Sequence, residues 1–422
     1  NNFTRGNLHI GDGAAIRVDP EGEIVLSAGR QLTVLGTLEA AAGHIALKQT
    51  ELEGNEHTEI TNFDPGRSIF LGANSQLLAT GYYRAEPNAQ SLRKGEVLDG
   101  GSVDITAAKG YLVAQQGSLI DVSGILTTLD LVGPGSLAAT PVASNGGSIR
   151  LAAREGMLLE GGLRGRAGGT QAQGGSLSVA LMRTTGKEWS FTDAPIALGS
   201  QRVVTLQAAP TALTTGLVAG AALDTATRNG QAQLAQSQVR DGGFADLRLQ
   251  GQHRIAFADA LDLNLTGRLS LFAPNLSAVG ATQTHLTAAS AIIGNPDSNA
   301  QTDSSRNDAS GGAGALTVSA GLIELVGHSN LQGFGETSFV SQGDIRARGV
   351  VYDADLNIND VKYVYRGSLT TGGNLNLAAR QIYPASLAEF ALEIHNNPAG
   401  RITVTSTGSD GAVLSAGVRL SL

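Results

Sequence analysis

Short runs of alternating apolar and polar residues, each opened by glycine, recur from one end of the chain to the other. In 100–124, GGSVDITAAKGYLVAQQGSLIDVSG, Val103, Ile105 and Ala107 fall on one side of an extended strand and Ser102, Asp104 and Thr106 on the other. That is the period-two pattern of a half-buried strand. Gly110 and Gly117 turn the chain, and the run restarts at Leu119 and Val122. Strand, turn and strand follow within ~20 residues, a spacing that suits the coils of a solenoid and needs no helix between them.

The best internal match is NGGSIRLAAREGMLL, in which Gly146, Gly147, Ser148, Ile149, Leu151, Ala153 and Gly156 repeat Gly100, Gly101, Ser102, Val103, Ile105, Ala107 and Gly110. The displacement of 46 positions (146 − 100) predicts two coils of roughly 23 residues each, within the range of stacked repeats. Looser copies begin at Gly22, Gly43, Gly175, Gly267, Gly314, Gly373 and Gly400. No single copy can bury its own apolar face, so the copies are expected to stack strand on parallel strand around one core. The predicted fold is all-β, a parallel β-helix or β-solenoid with loop insertions, running as one elongated segment over 1–422.

Five stretches break the pattern and are expected to be loops or insertions: 51–65, 80–98, 184–242, 295–312 and 350–366. The first is acidic but lacks the alternate-oxygen spacing of a calcium loop, which favours a solvated excursion. The third contains an Ala- and Gln-rich run over 219–238 with helical character. The fourth, NPDSNAQTDSSRNDASGG, has no apolar periodicity. Asp259, Asp262 and Asn264, set among Leu261, Leu263 and Leu265, read as rungs of outer polar ladders.

Composition sharpens this picture. Glycine is abundant, with 56 residues, and proline sparse, with 11, as many tight turns between short strands require. The net charge of −8 and the lack of a basic tract leave no footprint for nucleic acid. The absence of cysteine removes disulfides, thiolate metal sites and cysteine nucleophiles together. No apolar run reaches the ~20 residues that span a bilayer. The first residues, Asn-Asn-Phe-Thr-Arg, lack the charged and apolar regions of a signal peptide, so an interior or processed piece of a longer chain is expected.

Candidate chemistry is thin. The seven histidines, at 9, 44, 57, 253, 285, 328 and 395, show no metal-ligand spacing, and neither a metal nor a cofactor is predicted. GGAGALTV at 311–318 lacks the aspartate of the calcium nonapeptide. Arg164 and Arg166, set among glycines, read either as an anion grip or as a surface turn. The candidate ligand-binding residues are aromatic and sit in the excursions: Tyr82, Tyr83, Trp189, Phe191 and Tyr363. Each has a packing alternative, since a ring at the base of an excursion also seals it against a coil. No catalytic residue is assigned; a glycan-cleaving β-helix enzyme needs carboxylates clustered on neighbouring coils, and no recurrent acidic position marks one.

The glycine-bounded strands GSLIDVSG, GGSVDITAAKG and GGNLNLAARQIYPASLAEFALEI, with the closing AVLSAGVRLSL, resemble filamentous haemagglutinin-type exoproteins of two-partner secretion systems over nearly the whole chain. The resemblance implies a right-handed parallel β-helix fibre. It implies export from a Gram-negative bacterium through an outer-membrane β-barrel transporter, and display at the cell surface. The implied partners are host-cell, bacterial-surface or matrix polysaccharide ligands, and the implied role is attachment, cell-cell aggregation or biofilm formation. The family's secretion domain, toxic tip and anchor are not recognisable in this sequence, so the expectation is the shaft of an adhesin. The alternatives are the shaft of a contact-dependent toxin-delivery exoprotein and a carbohydrate-active β-helix enzyme.

Overall fold

The computed structural model describes residues 6–49, 65–133, 136–182, 201–296, 309–354, 363–409, 415 and 417–422. They are almost entirely β-structure, dominated by large parallel ladders. The chain falls into two compact units, one formed by Asn1–Ser200 with Ala209–Asp246, the other by Gln201–Ala208 with Leu247–Leu422.

In the first unit the chain visits three ladders in rotation. One ladder stacks Glu23–Ala28, His44–Gln49, Ser102–Ala107, Ser148–Ala153 and Ser176–Leu181. A second stacks Leu8–Ile10, Leu32–Val34, Ser68–Leu71, Tyr111–Ala114, Gly156–Leu159 and Gln231–Ala235. The third stacks Ala15–Arg17, Thr37–Glu39, Gln76–Leu78, Leu119–Asp121 and Gly162–Arg164. Every pairing is parallel, so each circuit of three strands lies directly on the one before, as in a solenoid.

The alternation read from the sequence holds residue by residue over Ser102–Ala107 of the first ladder. Val103, Ile105 and Ala107 are fully buried, as are their partners Ile45, Leu47 and Ile149, while Ser102, Asp104 and Thr106 face outward and are half-buried. On the third ladder the inward residue is Ile120, and Leu119 points outward. The second ladder breaks the alternation. Its strands Ser68–Leu71, Tyr111–Ala114 and Gly156–Leu159 are buried on both faces, because an outward apolar row of Phe70, Val113 and Leu158 is covered by Leu213, Leu217 and Leu223.

The match between 100–110 and 146–156 has a different geometric meaning from the one expected. Val103 and Ile149 are direct register partners, so the 46 positions between them (149 − 103) make one circuit and not two. The surplus is an antiparallel ribbon, Leu126–Val132 with Leu137–Ala143, that leaves the stack and returns to it. A similar ribbon, Tyr82–Ala85 with Gly95–Leu98, forms the excursion expected over 80–98. Within 184–242 the expected insertion is partly scaffold. Gln231–Ala235, inside the run expected to be helical, is a strand laid on Met157 and Leu158, and among the described residues of this stretch the α-helices are Thr225–Arg228 and Gln236–Gly242. Val203–Gln207 is likewise a ladder strand, paired with Arg254–Phe257 in the second unit.

The second unit repeats the same logic. Leu247, Leu269 and Ala291 stack in register on one ladder, and Ile323, Ile345 and Ile382 on its continuation. Leu261 and Leu263 are buried against Thr284 and Leu286. Between them Asp262, His285 and Thr317 form an outward polar row, the bland ladder that the sequence predicted. The insertions expected over 51–65 and 295–312 lie largely outside the described residues, whereas that over 350–366 is described in part, with Val350–Ala354 pairing antiparallel with the start of Tyr363–Thr371.

Candidate functional site

Of the five aromatic candidates, two have described side chains. Tyr82 and Tyr83 are consecutive residues of one ribbon strand, opposite Leu98 and Val97, and consecutive strand residues face opposite sides. They do not form a joint stacking platform. Tyr83 donates its hydroxyl to the Lys94 carbonyl at 2.8 Å across the ribbon, whereas Tyr82 faces solvent. Trp189, Phe191 and the side chain of Tyr363 lie outside the described residues.

The first unit instead carries a polar groove that the sequence reading did not single out. It has a volume of about 690 Å³ and follows the corner that leads into the first ladder. The tetrapeptides DGGS, NGGS and QGGS, at 99–102, 145–148 and 173–176, build it on three successive circuits. Their leading residues stack: Asn145 donates its backbone N–H to Asp99 Oδ1 at 2.7 Å and its side-chain amide to Oδ2 at 3.1 Å. Gln173 then donates its backbone N–H to Asn145 Oδ1 at 2.9 Å. Glycine is required at the next two positions by close approach of backbones. A Cβ on Gly147 would collide with the carbonyl oxygen of Gly101, and one on Gly101 with that of Gly43.

The serines close the motif and form one row. Ser102 is the register partner of both His44 and Ser148, and Ser148 of Ser176, so the hydroxyls succeed one another at the ~4.8 Å spacing of adjacent strands. His44 Nδ1 lies 2.7 Å from Ser102 Oγ, with Glu23 and Asp104 carboxylates 4.0 and 3.9 Å from its Nε2. Arg150 Nη1 approaches the same Asp104 oxygen at 3.8 Å. The recurring G-G-S after a polar residue was the available signal; the row became visible only once the stacking register was known.

A serine, a histidine and a carboxylate in this order invite comparison with a nucleophilic triad, which also needs donors for the oxyanion. The neighbouring amides are committed to the stack. Ser102 N–H donates to the Gly43 carbonyl at 2.9 Å, Gly101 N–H to Ala79 at 2.7 Å, and Ser148 N–H to Gly101 at 3.0 Å. The pair His328 and Ser368 repeats the contact in the second unit, with Nδ1 and Oγ 2.9 Å apart. A histidine beside a serine on the next circuit is thus a recurring ladder contact here. Among the described residues, no cluster of histidine, aspartate and glutamate is arranged to hold a metal ion.

No family model, curated protein or solved structure matches the chain. The functional reading therefore rests on the ladders, the ribbons and the groove.

Proposed function

We propose that the chain is the structural shaft of a secreted, surface-displayed bacterial adhesin, wound as a right-handed parallel β-helix. The handedness follows from the strong preference of parallel crossover connections for the right-handed path. The observation that carries the reading is the constancy of register under variable spacing. His44 and Ser102 are partners across 58 positions (102 − 44), Ser102 and Ser148 across 46 (148 − 102), and Ser148 and Ser176 across 28 (176 − 148). A scaffold that holds its cross-section while ribbons of different length leave it is suited to projecting binding elements from a fibre.

In this reading the chain crosses the outer membrane of a Gram-negative cell through a β-barrel transporter and folds circuit by circuit outside. There it meets polysaccharide on host cells, other bacteria or the matrix. Beads coated with the purified chain and incubated with bacterial and epithelial cells test the adhesive role. Attachment well above that of albumin-coated beads is expected; attachment equal to albumin on every surface overturns it.

A further inference from the structure

The groove over the DGGS, NGGS and QGGS corners has chemistry of its own. The backbone that forms its floor is already paired: Gly100 N–H donates to the Asn145 carbonyl at 2.9 Å, Gly146 N–H to Gln173 at 2.9 Å and Gly147 N–H to Val122 at 2.7 Å. An extended peptide that binds by adding a strand needs free backbone groups, and this floor offers few. What it offers is side-chain hydrogen bonding. The hydroxyls of Ser148 and Ser176 hold no hydrogen bond among the described residues, and neither does the side-chain amide of Gln173. His44 and Ser102 continue the row on the preceding circuits.

The row runs along the stack and not along a strand. Successive hydroxyls are ~4.8 Å apart, close to the step of one pyranose ring in an extended glycan, so a linear oligosaccharide would meet one serine for each sugar. The charge of the lining selects further. Glu21, which is paired with Arg84, and Asp246 bring carboxylates to the groove, and no lysine or arginine is among its described lining residues. A uronate or sulfate group laid there would find no lysine or arginine among the described lining residues to pair with.

We propose that this groove is a binding site for a linear glycan free of acidic groups, lying parallel to the stack and held by Ser102, Ser148, Ser176 and Gln173. The proposal deepens the adhesin reading by naming a site and a ligand class. It needs no cell-surface setting, so the two can fail separately. With no tyrosine, tryptophan or phenylalanine among the described lining residues, each sugar is held mainly by hydrogen bonds, and a single groove binds weakly.

Titration calorimetry of the full chain with cellohexaose, chitohexaose and hexagalacturonate tests it, alongside the variant Ser148→Val/Ser176→Val. Valine suits an outward strand position, and circular dichroism checks that the variant keeps its fold. Millimolar or tighter binding of a neutral hexamer is expected, weakened at least fivefold in the variant, with hexagalacturonate not binding. The proposal is overturned if neither neutral hexamer binds, if the folded variant binds them unchanged, or if hexagalacturonate binds as tightly. Binding of a hexamer with no bead attachment would leave the groove standing and remove the adhesin.

Discussion

Asp99 accepts both the backbone N–H of Asn145, at 2.7 Å, and its side-chain amide, at 3.1 Å, tying one circuit to the next at an exposed corner. Removing the acceptor leaves two donors to water, and exposed hydrogen bonds contribute modestly. Asp99→Ala is expected to lower stability by about 0.5–1.5 kcal/mol, with faster amide exchange at Asn145 and Gln173 as the local signature. Unchanged exchange at both amides would refute this stacking of the corner.

The corner glycines should be far less forgiving. At Gly147 a methyl group meets the carbonyl oxygen of Gly101, which belongs to the adjoining circuit, so relief requires two stacked backbones to separate. Gly147→Ala is expected to cost at least the ~1–3 kcal/mol of an overpacked core and to broaden the unfolding transition of the first unit. Gly133→Ala, in a ribbon turn where the nearest atom to the new Cβ is Ser136 O at 3.4 Å, is the control and should be nearly neutral. Denaturant titration of the two variants gives the comparison.

The inner architecture was legible because it depends on alternation, and alternation is local: Val103, Ile105 and Ala107 are buried where the period placed them. Circuit length was less legible. Little in 126–143 distinguishes a ribbon strand from a ladder strand, since Leu129 and Leu131 alternate with Thr128 and Asp130 much as scaffold does, although Leu131 is exposed. The Ala- and Gln-rich run was misread for a related reason. Gln231–Ala235 has residues of good helix propensity, but its site on Met157 and Leu158 imposes an extended backbone, and tertiary packing overrides propensity. The serine row was hidden because it joins residues by register across insertions of unequal length.

A strap over the second ladder supplies another test. Glu160 accepts the backbone N–H groups of Leu213 and Thr214 and, at 2.8 Å, the Thr214 hydroxyl. These bonds hold 213–223 over Phe70, Val113 and Leu158. Bonds to a charged acceptor are the stronger kind, so Glu160→Ala is expected to cost about 2 kcal/mol. Raised binding of a hydrophobic dye should accompany the loss, as the leucines lift from the apolar row. A variant that loses stability without gaining dye binding would mean that the strap stays in place without Glu160.

The ribbons of 82–98 and 126–143 are joined by an ion pair whose response to acid can be stated in advance. Arg93 donates its backbone N–H to Asp130 Oδ2 at 2.7 Å and its Nη2 to Oδ1 at 2.6 Å, and the Asp130 N–H returns a bond to the Arg93 carbonyl at 2.9 Å. The side-chain bond from Arg93, reinforced by its backbone N–H, holds the Asp130 carboxyl below the ordinary aspartate range and raises the guanidinium. For a carboxyl depressed in the folded state, the stabilisation is fully present above the unfolded value of ~3.9 and disappears as pH falls through the lowered one. The ribbons should therefore remain joined at pH 4–5 and part only on further acidification. Carboxyl carbon NMR of Asp130 reads this directly: its titration should lie below that of an exposed aspartate, and Arg93→Gln should return it toward the ordinary range. An Asp130 that titrates like an exposed aspartate in the unaltered chain would show that the pair does not join the ribbons in solution.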